Sequence, residues 1–368
     1  MRKNIIRKVW MFITAGMIAS LFLMLKMQPV YADELDMDTE MEMVTDTGII
    51  TEQEDADTDA LDLDQVVDDE AELEPDGEPY SFSIYTTNLP DGECYVYGIN
   101  GDASGALIIP ATISVTYGET IKVYKVVGIN DGAFNGKKGL TSVEFPEGIR
   151  IIKSGAFQDC TGLEGDLSLP DSVTKIENDA FARCTGLNGK LKLPSNLAEI
   201  GGRAFTGCGF TGSLDLPTGL EVIGYEAFKD CSGFTDTLII PGSVNKILRN
   251  AFEGCTGFKN TLTIPASLSD VGKEVFKGCT GFTGLALSEG VTTVSEGEFT
   301  DCTGMTGTLV LPDSIKDVKN GAFKNCGFTG NLTIPDGITN LASEAFACPE
   351  IDGTLTVPQS VTNADSWA

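Results

Sequence analysis

The sequence predicts a leucine-rich, mainly β solenoid of about ten coils, and three observations point to it. Phenylalanines stand at Phe134, Phe157, Phe181, Phe205, Phe228, Phe252, Phe276, Phe299, Phe323 and Phe346, always 23 or 24 residues apart. A fixed set of residues travels with them: L-x-L/I-P, a turn, an apolar residue, T/E-x-I, three variable residues, A-F-x-x-C, then T-G-x-x-G. The count from proline to the next phenylalanine is 11 in every regular coil, as from Pro170 to Phe181, whereas Phe to Pro is 12 or 13. Slipping a strand by one residue turns its side chains to the wrong face, so the constant half is the packed half and the variable half holds turns. A unit of this length cannot bury its own apolar face and leans on its neighbours.

Along one coil, Leu167 and Leu169 alternate with period two, which fits a short strand with both leucines inward and Ser168 outward. Pro170 ends that strand, because proline cannot donate to a sheet ladder. Val173 to Ile176 reads as a second strand. The Ala180-Phe181-x-x-Cys184 stretch is expected to make one helical or 3₁₀ turn with the ring inward, and the following glycines to reverse the chain. Coils stacked about 4.8 Å apart then align two structural ladders. One is Phe157, Phe181, Phe205, Phe228, Phe252, Phe276, Phe299 and Phe323; the other is Cys160, Cys184, Cys208, Cys231, Cys255, Cys279, Cys302 and Cys326.

Together, L-x-L-P, the T-x-I strand, Ala-Phe-x-x-Cys and the near-constant period resemble the BspA-like bacterial leucine-rich repeats, over Leu107 to Val357. The resemblance implies a secreted or surface-displayed solenoid associated with adhesion or protein binding, and it carries over no functional residue. Departures from the pattern are Ser288 in place of Pro, Lys137 in place of Cys, and Phe346-Ala347-Cys348, one residue short.

The flanks read differently. Residues 1–32 combine Arg2, Lys3, Arg7 and Lys8 with the apolar run Val9 to Leu25 and the small residues before Asp33, the pattern of an export signal cleaved after Ala32 or retained as an anchor. Residues 33–79 hold 21 Asp or Glu and no Lys or Arg, an acidic linker expected to be disordered. Asp55, Asp57 and Asp59 imitate the start of a calcium loop, but Ala60 and Val66 stand where glycine and a bidentate Glu are needed, so no metal is expected. Residues 80–134 read as an N-terminal cap: Pro110 to Phe134 spans 24 residues, the surplus fitting a hairpin around Gly118-Glu119. The array runs over 135–358, and 359–368 is a truncated coil or tail in which Trp367 is expected to cover Phe346.

Function is less legible than fold. The chain has no histidine, which removes Ser-His and Cys-His nucleophile pairs, and its carboxylates do not cluster on the strands. No catalytic residue, cofactor or metal ligand is assigned. The repeating cysteines lack the short spacings of metal sites and read as a reduced, buried ladder in which Ser at Cys255 would leave a poorly paired hydroxyl. A net charge of −29 excludes nucleic acid as the natural partner. Between the paired leucines the outward positions run Glu144, Ser168, Lys192, Asp215, Ile239, Thr263, Ala286, Val310, Thr333 and Thr356, charged early and uncharged late. Strand propensity alone explains Thr, Val and Ile there; the functional reading is a protein-binding stripe of Ile239, Thr263, Val310, Thr333 and Thr356. The sequence thus suggests an exported, monomeric, non-enzymatic protein that binds an extracellular or cell-surface protein. A passive spacer and a degenerate β-solenoid carbohydrate-active enzyme are the alternatives.

Overall fold

The computed structural model describes residues 82–99 and 103–365; the segments expected to be an export signal and an acidic linker with its Asp55 series, and Trp367, lie outside them. Five strands precede the regular coils: β1 (Phe82–Tyr85), β2 (Glu93–Ile99), β3 (Ser104–Ile108), β4 (Thr112–Tyr117) and β5 (Thr120–Ile129). β2 runs parallel to the second half of β5, pairing Cys94 with Val126 and Val96 with Ile129, and β1 adds antiparallel to β2. β4 and β5 form a hairpin whose loop holds Gly118 at φ +61°. β6 (Gly139–Glu144) then pairs parallel with β3, and β7 (Ile151–Ile152) with β5, which starts two ladders.

The ladder of second strands is the more continuous. Ile151–Ile152, Lys175–Ile176, Glu199–Ile200, Val222–Ile223, Lys246–Ile247 and Asp270–Val271 belong to one sheet, each inward Ile or Val level with the next. The ladder of first strands is broken into pairs, such as Thr261–Ile264 with Gly284–Leu287 and Leu332–Thr333 with Leu355–Thr356, with lone bridges at Gly212–Phe234 and Gly307–Phe328.

Among the described residues there is no helix, and the Ala-Phe-x-x-Cys stretch is a string of turns. From Phe134 to Phe323, the residues two before and two after the Phe of the Ala/Glu/Val-Phe-x-x-Cys/Lys stretch have positive φ: Asp179 (+59°) and Arg183 (+60°) around Phe181, Arg203 (+56°) and Gly207 (+69°) around Phe205. A left-handed residue halts a helix at once. Alternate N–H groups then go separate ways. Ala182 and Cys184 donate within the coil, to Asp179 and Phe181, while Asp179, Phe181 and Arg183 donate to Gly202, Ala204 and Thr206 of the next coil. A helix would spend these donors inside the coil, leaving side chains alone to join coils on this side. The first glycine of the turn also has another task than reversal. A Cβ on Gly186 would lie 2.4 Å from the Leu163 carbonyl oxygen, so its absence lets the coils close up. In the turn after Cys160 the second glycine, Gly165, reverses the chain at φ +73°, whereas Gly189, its counterpart after Cys184, is another close-approach position, 2.5 Å from the Gly165 carbonyl carbon for an added Cβ.

Two aromatic columns fill the core. In the first, ring centroids step by 4.9 Å from Phe134 to Phe157 and by 5.5 Å from Phe252 to Phe276. The second, Phe210, Phe234, Phe258 and Phe282, occupies a position the repeat motif leaves variable, and its rings meet the first edge-on, Phe258 standing at 69° to Phe252. Offset stacks along the axis and edge contacts across it are the two favourable aromatic geometries.

The cysteine ladder is buried, and all ten thiols are free. Each repeating thiol donates to the Phe carbonyl of the coil before: Cys184 Sγ to Phe157 O at 3.0 Å, Cys255 Sγ to Phe228 O at 3.1 Å. That carbonyl also takes the Cys231 N–H, so both its lone pairs are used. This corrects the cost foreseen for a serine, whose hydroxyl inherits a waiting acceptor. Cys255→Ser is expected to cost about 1 kcal/mol, no more than Cys255→Ala, in urea unfolding. A serine variant less stable than the alanine one would show the hydroxyl unpaired.

Candidate functional site

On the first-strand face, the L-x-L pairs point inward, buried or half-buried in all but the last coil, where Leu355 and Val357 are exposed, and set the residue between them outward. Leu238 and Ile240 are buried on either side of Ile239, which is 71% exposed; Leu309 and Leu311 are buried on either side of Val310, which is 68% exposed. Thr263, Thr333 and Thr356 are exposed too, and the ladder places Thr263 level with Ala286 and Thr333 level with Thr356. Ladder pairing thus aligns Thr263 and Thr333 each with one neighbouring coil, and Ile239 and Val310 share with them the same position of the repeat. Ile239 and Val310 themselves lie in segments without ladder pairing.

A second outward column runs beside it, two residues earlier in each coil: Thr237, Thr261, Gly284, Thr308, Asn331 and Thr354. Thr354 N donates to Asn331 Oδ1 at 2.8 Å within it, and Asn260 Nδ2, one residue before Thr261, donates to Thr237 Oγ1 at 2.7 Å. Neither column carries a charge from Thr237 to Thr356. Sequence reasoning missed this column, although the T-x-T spacing of Thr261 and Thr263 signals it. It also missed Ile108, 43% exposed, which the β3–β6 pairing sets level with Glu144. The hairpin insertion hides Ile108 by lengthening the count from Pro110 to Phe134.

The other faces are charged and largely internally paired. On the second strands, Lys175, Glu199, Val222, Lys246 and Asp270 are in register, and Lys246 Nζ reaches Asp270 Oδ2 at 2.7 Å. Along the turns, Arg183 pairs with Asp159 and Arg203 with Asp179, each through two bonds. The Arg183 guanidinium holds the Asp159 carboxyl below its usual range. Arg203 also packs on the Tyr225 ring, 5.1 Å from its centroid. Exposed pairs of this kind add little stability singly, about 0–1 kcal/mol; here they occupy the charges that a ligand would otherwise meet.

Among the described residues no three His, Cys, Asp or Glu converge as metal ligands, and none forms a helix long and apolar enough to cross a membrane. Burial pushes the Cys160 and Cys231 thiols up to about 12 and the Cys255 thiol well above its usual value. Thiolates at these positions are inaccessible as nucleophiles. The one strongly perturbed carboxyl, Glu298, is enclosed in the array and out of reach of substrate.

Residues 127–259 and 258–368, about two thirds of the chain, match the family model described as BspA type leucine rich repeat region, in six copies. A leucine-rich repeat protein from Bacteroides ovatus is 24% identical, with 77% of this chain and 88% of that one aligned at a TM-score of 0.39. A leucine rich cell surface protein from Faecalibacterium prausnitzii is 21% identical over 77% of this chain and 95% of that one, TM-score 0.38. The pneumococcal vaccine antigen PcpA is 17% identical over 78% and 84%, TM-score 0.40. No curated protein matches the chain.

Proposed function

Because the chain belongs to the BspA-type leucine-rich repeat family, we propose that it is an exported, non-enzymatic binding protein that docks an extracellular protein on its first-strand face. One observation carries this reading. In the regular coils, the outward positions bearing exposed large apolar side chains are Ile239 and Val310, and both lie in the uncharged columns of that face. The second-strand face and the turns are charged and ion-paired, surfaces that offer little to desolvate. Docking energy concentrates in a few desolvated apolar anchors, with neutral polar neighbours excluding water around them.

The test is a pull-down of matrix and cell-surface proteins with the parent and with the Ile239→Lys, Val310→Lys double variant. The captured protein should be lost from the variant while its melting temperature stays that of the parent, since both side chains point away from the core. Lysine at Glu144 and Asp215 should change mainly the salt dependence of capture. A double variant that captures its partner as well as the parent excludes this face.

A further inference from the structure

The N-terminal hairpin leaves a strand edge open. In the β4–β5 pair, Ile113, Val115 and Tyr117 face Tyr124, Lys122 and Thr120, with Tyr117 and Thr120 next to the two-residue loop. Residues flanking such a loop exchange both backbone bonds, and the pattern alternates from there. The bond from Val126 N to Ala111 O at 3.0 Å has the same parity. The N–H and C=O groups of Thr112, Ser114 and Thr116 therefore point to the opposite edge, where no strand pairs with β4 among the described residues. Natural edge strands are blunted by charge, proline or a bulge. β4 reads Thr-Ile-Ser-Val-Thr-Tyr, with none of the three, and its register with β5 is unbroken.

We propose that two copies of the chain join through this edge, their β4 strands antiparallel across a two-fold axis at Ser114. The strand fits itself. Ser114 meets Ser114 of the second copy, Thr112 meets Thr116, and Ile113 meets Val115, so β-branched residues oppose one another on both faces and no charge opposes its like. The three free donors and acceptors of each copy close about six backbone bonds. Within residues 80–368 the charge favours a second copy at this end over the coils, and the repulsion added by the 21 acidic residues of 33–79 is screened by salt. Residues 80–155 carry seven acidic and six basic side chains, whereas 156–368 carry 26 acidic and 14 basic. Two copies can approach through the near-neutral hairpin end without the repulsion that the acidic coils would bring. This joint replaces the monomer that the sequence suggests, and it is separate from the first-strand face.

Sedimentation velocity of the purified protein over a range of concentrations decides the matter. The parent should sediment as a dimer. Ser114→Pro removes a donor that β5 does not use, and it should raise the dimer dissociation constant about tenfold or more with an unchanged melting temperature. Thr116→Lys, which leaves the backbone intact, should do the same if the proline variant folds poorly. The Ile239→Lys, Val310→Lys variant should remain dimeric. A parent that stays monomeric throughout, or a Thr116→Lys variant that dimerises as tightly as the parent, overturns the proposal.

Discussion

Replacing Phe228 by Ala should destabilise the solenoid by about 3–5 kcal/mol, the range for deleting a buried aromatic ring. The ring is fully buried, stacks on Phe205 and Phe252 with centroids 5.4 Å away on each side, and meets Phe234 edge-on at 6.2 Å. Its loss opens a cavity in both inter-coil interfaces at once. Because each coil is held only by its neighbours, weakening two adjacent interfaces should also broaden the unfolding transition. Phe346 provides the contrast. It is only partly buried and its stacking partner is Phe323, at 5.8 Å. Phe346→Ala should therefore cost well under half as much. Urea unfolding of both variants, followed by circular dichroism, is the measurement. Equal losses would mean that the column does not transmit stability from coil to coil.

A gain of stability is expected at Glu298. This residue is 2% exposed, and it stands where other coils place Ala156, Ala180, Ala204, Ala227, Ala251, Ala322 and Ala345. Ser295 N donates to its Oε2 at 2.8 Å, too little to offset the removal of a carboxylate from water. Desolvation raises its pKa to about 8 in the fold, from 4.5. Between those values the folded chain holds a proton that the unfolded chain has released. The stability that Glu298 permits is thus fully present below the unfolded value, falls by up to about 1.4 kcal/mol per pH unit as pH rises, and levels off above the folded value. Glu298→Ala should remove this dependence and stabilise the protein by several kcal/mol at alkaline pH. Urea midpoints of parent and variant at pH 5.5, 7 and 8.5 would show curves that diverge with pH. Parallel curves would place the carboxyl in contact with water.

The two expectations differ in how far the sequence exposes them. Phe228 is legible from recurrence alone, because a residue that returns every 23 or 24 positions in phase with Leu and Cys occupies the same place in every coil. The same recurrence identifies the L-x-L pair, and with it the outward positions of Ile239 and Val310, since strand alternation is a local property of the backbone. Recurrence likewise shows that Glu298 replaces an alanine. It does not show the burial, because that depends on how closely the coils approach.

The period, the Phe and Cys ladders, the alternation of the L-x-L strands and the family were determined by the sequence by itself. Only the tertiary structure decided that Ala-Phe-x-x-Cys is a string of turns, that each thiol has a carbonyl to meet, that Gly186 serves close approach, and that β4 pairs with β5 alone among the described residues. The division has one physical cause. Side-chain direction follows from neighbours along the chain, whereas the destination of a backbone hydrogen bond here is a residue one coil away, as Phe181 N to Ala204 O shows. A local reading satisfies those donors within the coil and so writes a helical turn. Stacking sends every second one across.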